Sequence, residues 1–94
     1  MPNLFMLRPG DGNEVSGAYH VALSRRSGPT LLALSRQKLD AQLEGSSIEG
    51  TLKGGYVLTD NAEGGKLDLI LLGTGAELVL CQQAAVKLRE EGMK

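Results

Sequence analysis

Apolar residues fall in short unbroken runs divided by glycine and proline, with two longer stretches of helical period between them. Residues 3–7 (NLFML) form the first run, stopped by Arg8-Pro9-Gly10, and predict a strand. Asp11 with Glu14 three residues on resembles a capping box, with Asp in place of the usual Ser or Thr. The helix this opens, over residues 12–26, sets Val15, Ala18, Tyr19 and Ala22 on one face. Ser27-Gly28-Pro29 closes it. Residues 29–39 (PTLLALSRQKL) then run Leu31, Leu32, Ala33, Leu34 without a polar break and turn polar at Ser35, Arg36, Gln37 and Lys38. Such a run predicts a strand buried on both faces, as in a parallel sheet. Strand, helix and strand within about 35 residues make a βαβ unit, with parallel strands and a right-handed crossover.

The second half is less regular. Residues 40–53 (DAQLEGSSIEGTLK) are polar and without period, and read as a loop longer than most in compact domains. Gly54-Gly55 leads into Tyr56, Val57, Leu58 and Thr59, a short strand at an edge. Residues 60–66 (DNAEGGK) read as a turn or linker and the best candidate for a domain boundary. The βα pattern then restarts: residues 67–72 as a buried strand, Gly73-Thr74-Gly75 as the turn, Thr74 and Glu77 at capping-box spacing. A helix over residues 76–91 carries Leu78, Cys81, Ala85 and Leu88 on one face, with Gly92 ending it. A lone strand and helix make no sheet, so residues 67–94 read as the beginning of a domain whose remainder lies outside this sequence.

Composition sharpens this picture. The chain has 94 residues, a net charge of −1 and 41% hydrophobic residues, with no Trp, one Phe and two Tyr. A chain of this size buries only about 60–65% of its unfolded surface, and few large anchors are present to build a core. The near-zero charge argues against a nucleic-acid footprint. No apolar run approaches the ~20 residues of a membrane span. The first ten residues lack signal-peptide order, because Arg8 follows the apolar stretch. Cys81 is the only cysteine, which rules out an internal disulfide and fits a reducing compartment.

Candidate chemistry is sparse. Arg36 emerges at the carboxyl end of a predicted parallel strand, where open α/β sheets bind ligands, and its planar donor fork suits phosphate or carboxylate. On the residues alone it reads more readily as an ordinary charged residue at a strand exit. Between Glu14 and Asp40 the chain has no acidic residue but carries Arg25, Arg26, Arg36 and Lys38. Arg25 and Arg26 would offset the dipole at a helix C-terminus, or add to a positive field around Arg36. Gly73-Thr74-Gly75 falls short of a dinucleotide fingerprint because Leu78 stands where the third glycine belongs. It reads as a tight turn whose free N–H groups can meet an anion. His20, the one histidine, lies off the apolar face of its helix. Cys81 reads as core packing. No metal cluster or catalytic pair is present, so the residues alone stop at part of an α/β protein.

The blocks MPNLFMLRPGDGNEVSGAYHVAL, LLALSRQKL, EGSSIEG, KGGYVL and LILLGTGAEL go further. In order and spacing they resemble transketolase across essentially all of residues 1–94, with Gly10 in place of the alanine usual before DGNE. The resemblance implies a fragment of a longer, three-domain α/β enzyme that uses thiamine diphosphate and a divalent metal (Mg²⁺ or Ca²⁺). That enzyme passes a two-carbon ketol unit from a ketose phosphate to an aldose phosphate, in the pentose phosphate pathway or the Calvin cycle. Residues 1–60 would end the pyrimidine-binding domain, residues 61–66 would be a linker, and residues 67–94 would begin the C-terminal domain. The arginine of the family's SRQ block binds substrate phosphate, which implies that role for Arg36. Catalytic, cofactor and metal ligands would all lie upstream of Met1, with none in this chain. The resemblance also implies a homodimer with sugar phosphates as its substrates and no nucleic-acid or membrane partner. It fits the cytoplasm, or the plastid stroma if a transit peptide precedes the chain. Dihydroxyacetone synthase, a close relative, and a non-catalytic α/β binding module are the alternatives.

Overall fold

A computed structural model of the chain describes residues 2–39, 42–62 and 64–94. Its elements are β1 (Phe5–Leu7), α1 (Gly12–Ser24), β2 (Thr30–Leu32), α2 (Ile48–Leu52), a 3₁₀ turn (Gly75–Glu77) and α3 (Leu78–Glu90). The strands β1 and β2 pair in parallel, Phe5 against Thr30, Met6 against Leu31 and Leu7 against Leu32, with α1 as the crossover. The Ala33 N–H donates to the Leu7 carbonyl at 2.9 Å and extends the ladder by one bond. The predicted α/β architecture with a parallel βαβ unit is therefore present.

The helix starts where the sequence places it. Asp11 is extended (φ −155°) and its side chain accepts from the Glu14 N–H, a helix N-cap. Arg25 is the C-cap. Rather than facing solvent beyond the helix end, its guanidinium donates to the carbonyls of Pro29 and Asn3. It also lies 3.6 Å from the Phe5 ring centroid. Arg25 thus ties the helix exit to the start of both strands, a role that neither a dipole counter-charge nor a field around Arg36 describes.

Several expectations are corrected. The inward face of α1 is Glu14, Gly17 and Ala18, one position round from the expected one, and Tyr19 is exposed. Helix α2 is the reason. A Cβ at Gly17 would stand 2.6 Å from the Thr51 Cβ, so a bare backbone is what lets the two helices touch. The segment read as a featureless loop thus holds α2, capped by Ser47, whose hydroxyl accepts from the Gly50 N–H at 2.8 Å. The run around Leu31 is a strand for only three residues and is not buried on both faces: Leu31 and Leu34 are 45% and 52% exposed. Residues 56–59 and 67–72 form no strand. Each lacks a ladder partner among the described residues, and a strand exists only by pairing.

The core is small. Ala18, Leu43 and Ala62 are its buried apolar residues, while Leu67, Leu69, Ile70, Leu71 and Leu72 are exposed. The expected face of α3 does point inward: Leu78, Cys81, Ala85 and Leu88 line an open cavity of about 790 Å³, together with residues 67 and 69–72 and the 54–61 segment. Among the described residues, no helix is long and apolar enough to cross a membrane.

Gly17→Ala should loosen the α1–α2 contact by about 1–3 kcal/mol, the usual range for forcing bulk into a packed site. Amide exchange should quicken across both helices. Gly55→Ala, where an added Cβ meets nothing within 4 Å, should leave exchange unchanged; equal effects would remove the packing argument.

Candidate functional site

The best-built polar feature lies at the start of α1. Asp11 and Glu14 are both buried, at 4% and 9% exposure, and every carboxylate oxygen has a donor. Asp11 Oδ1 accepts from the Glu14 N–H at 2.9 Å and Oδ2 from the Leu43 N–H at 2.7 Å. Glu14 Oε1 accepts from the Gly10 N–H at 2.8 Å and Oε2 from the Tyr56 hydroxyl at 2.5 Å. The sequence signal for the cap is thus correct, though Glu14 reaches back to Gly10 rather than to the cap residue itself. Asn13 adds a further tie, its Nδ2 donating to the carbonyl and hydroxyl of Ser46. One helical turn thereby holds residues 43, 46 and 56.

Arg36 follows β2 at its carboxyl end, in an exposed bend. Among the described residues its guanidinium makes no hydrogen bond or ion pair. The described anchors on either side of it in the chain are the Ala33–Leu7 ladder bond and the Leu43–Asp11 bond.

The glycine turn before α3 is not an anion cradle. The Gly75 N–H donates to the Arg8 carbonyl at 2.9 Å, and Gly75 itself has φ +58°. The Arg8 guanidinium donates to Thr74 Oγ1 and to Glu77 Oε2, each at 3.0 Å. The predicted capping box of Thr74 and Glu77 is therefore replaced: Thr74 makes no side-chain cap bond, and Arg8 takes both side chains. Sequence reasoning missed Arg8 because nothing local marks a partner 66 residues away. His20 is exposed on α1. Cys81 is half-buried rather than a core residue, and its Sγ donates to the Leu72 carbonyl at 3.5 Å.

Among the described residues, no group of three or more His, Cys, Asp or Glu is placed to hold a metal ion. The two buried carboxylates have all four oxygens bonded to N–H or O–H donors.

A parallel βαβ unit with an exposed arginine beyond the carboxyl end of its second strand is the architecture of an open α/β protein. The comparisons make the class specific. Over 92 residues the chain is 58% identical to chloroplastic transketolase of Solanum tuberosum, covering 98% of this chain and 12% of that protein. It is 59% identical over 92 residues to chloroplastic transketolase of Zea mays, covering 98% and 14%. A solved transketolase of Pichia stipitis, a mutant in complex with fructose 6-phosphate, superposes with a TM-score of 0.90 at 46% identity, covering 99% of this chain and 13% of that one. No family model matches. In sequence and in fold the chain belongs with the transketolases, and it spans 12–14% of the length of the two curated relatives.

Burial pushes the Tyr56 phenol up to about 12, and the hydrogen bond to Glu14 adds to the effect. The fold favours the neutral phenol. This contribution to stability is complete below the ordinary tyrosine value of 10.0 and is lost as pH rises through about 12. In a Tyr19→Phe background Tyr56 is the one remaining tyrosine. Phenolate absorbance should then titrate near 12 in the folded chain, and Glu14→Gln should lower the midpoint part of the way, since burial persists. A midpoint at 10.0 would show that the phenol is not held as described.

Proposed function

We propose that the chain is the part of a transketolase that supplies one of its contacts to substrate phosphate, with Arg36 as that contact. The observation that carries this reading is the exposed Arg36 beyond the carboxyl end of a parallel strand, in a chain whose relatives are transketolases. A fork of N–H donors at that position meets a phosphate dianion with charge-assisted, two-point hydrogen bonds. The fold neighbour solved with fructose 6-phosphate supports a sugar phosphate as the substrate class.

On this reading the full-length enzyme moves a two-carbon ketol unit between sugar phosphates. Thiamine diphosphate, with a divalent metal, supplies the electron sink for that transfer when bound, held by residues outside this segment. Residues 1–60 end the pyrimidine-binding domain and residues 67–94 begin the C-terminal domain, with residues 61–66 between them. Homodimerisation, and a site in the plastid stroma or cytoplasm, belong to the same proposal; the chloroplastic relatives favour the plastid. What this chain contributes is binding: Arg36 holds the phosphate end of the substrate so that the reacting carbons are oriented elsewhere.

In a full-length transketolase carrying this segment, Arg36→Ala should remove a charge-assisted contact of about 1.5–3 kcal/mol. Phosphorylated substrates should lose roughly ten- to hundredfold in kcat/KM, mainly through KM, while unphosphorylated ketoses change little. An equal loss for both kinds would make Arg36 structural. The 94-residue chain alone, supplied with thiamine diphosphate and Mg²⁺, should give no turnover; measurable ketol transfer would contradict the assignment of the chemistry to residues outside it.

A further inference from the structure

We infer that Asp11 is a positioning residue for Arg36, acting through the backbone of Leu43; this rests on the phosphate-contact reading of Arg36. Arg36 has an anchored residue on each side of it in the chain. The near anchor is the sheet, where the Ala33 N–H donates to the Leu7 carbonyl at 2.9 Å. The far anchor is the 2.7 Å bond from the Leu43 N–H to Asp11 Oδ2. Between them, residues 34–39 make no backbone hydrogen bond to the rest of the described chain, and Ser35 bonds only locally, to the Gln37 carbonyl.

The far anchor is built as a fixed point. Leu43 is 7% exposed, one of three buried apolar residues among those described, and its carbonyl accepts from the Ser46 N–H at 3.1 Å. Asn13, two residues after Asp11, holds Ser46 in turn. Asp11 is itself immobilised, because its other oxygen caps α1. The helix that begins after β1 therefore fixes Leu43, the first residue after Arg36 whose described backbone is bonded to the body of the fold. A long side chain at the tip of a tethered stretch binds a dianion well only if its base is held, and displacements of about 1 Å at such a group can cost up to a hundredfold in rate.

Asp11→Asn separates this role from simple stability. Asparagine is as good an N-cap as aspartate, but its amide has one acceptor oxygen, so either the Glu14 N–H or the Leu43 N–H loses its partner. Asp11→Ser keeps a capping hydroxyl and cannot serve both donors, and it stands in if the asparagine variant folds poorly. In a full-length transketolase carrying this segment, both variants should raise KM for phosphorylated substrates by roughly tenfold, with kcat and the kinetics of unphosphorylated ketoses near wild type. Tyr56→Phe removes a neighbouring bond of the same cluster and leaves the Leu43 anchor intact, so its KM values should match wild type. Arg36→Ala is run beside them. If it shifts the preference for phosphorylated substrates and the Asp11 variants do not, or if Tyr56→Phe shifts it as much as they do, the positioning role is overturned. If Arg36→Ala itself leaves the preference unchanged, the phosphate reading falls and this inference falls with it.

Discussion

Two buried carboxylates on the first turn of α1 are the constraint on which the first sixty residues depend. An ionised carboxylate away from water is costly unless each lone pair finds a donor. Here four donors arrive from four places: the helix's own Glu14 N–H, the Gly10 N–H, the Leu43 N–H and the Tyr56 hydroxyl. The helix N-terminus adds the favourable end of its dipole. Because the donors come from residues 10, 14, 43 and 56, satisfying the charges and folding the chain around α1 are the same event. Losing any one donor leaves a buried acceptor short, which is why such a cluster holds geometry better than an equal area of apolar contact.

Packing around the cluster is set by what is missing from the side chains. Gly17 lets Thr51 approach α1, and Gly50 lets the Tyr56 ring lie against α2, where an added Cβ would stand 2.6 Å from that ring. The sequence from Gly50 to Tyr56 thus doubles back onto the helix whose Glu14 receives the tyrosine hydroxyl. A second, looser junction joins Arg8 to Thr74 and Glu77. That ion pair is exposed on both sides, and such pairs contribute about 0–1 kcal/mol. The backbone bond from Gly75 to Arg8 fixes the junction more firmly than the charges do.

What could be read in advance follows from where the information lies. The βαβ unit was legible because its signals are local: an apolar run, a breaker, a cap and a periodic helix. Asp11 and Glu14 announced the helix start for the same reason. Their second bonds, to Leu43 and Tyr56, were not legible, since they span 32 and 42 residues and no spacing rule reaches that far. Helix α2 is five residues long, too short for periodicity to register, and only Ser47 at its cap marked it. The face of α1 was misjudged because hydrophobicity favoured Tyr19, whereas Gly17 decides the contact. Arg36 was legible as a cation at a strand exit, but nothing in the residues chose between a functional and an incidental charge. The blocks shared with transketolases made that choice a specific hypothesis.

The apolar segment at residues 67–72 shows the limit of pattern from the other side. Its composition is that of a buried parallel strand, yet Leu72 is 89% exposed and Ile70 66%, and it forms no ladder bond among the described residues. Its described backbone ties go to the C-terminal residue: the N–H groups of Asp68 and Leu69 donate to the Lys94 carbonyl. Composition states what surroundings a segment is suited to, and pairing states whether those surroundings are present. A two-stranded sheet of three residues per strand is below the size that is stable by itself in water, so the apolar faces of residues 67–72 and of α3 mark where further structure has to pack. In relatives of which this chain spans 12–14%, that further structure is most of the protein. The well-satisfied cluster around Asp11 and the uncovered apolar segment at residue 70 are then two expressions of one rule: local polar networks can complete themselves within a segment, and a parallel sheet cannot.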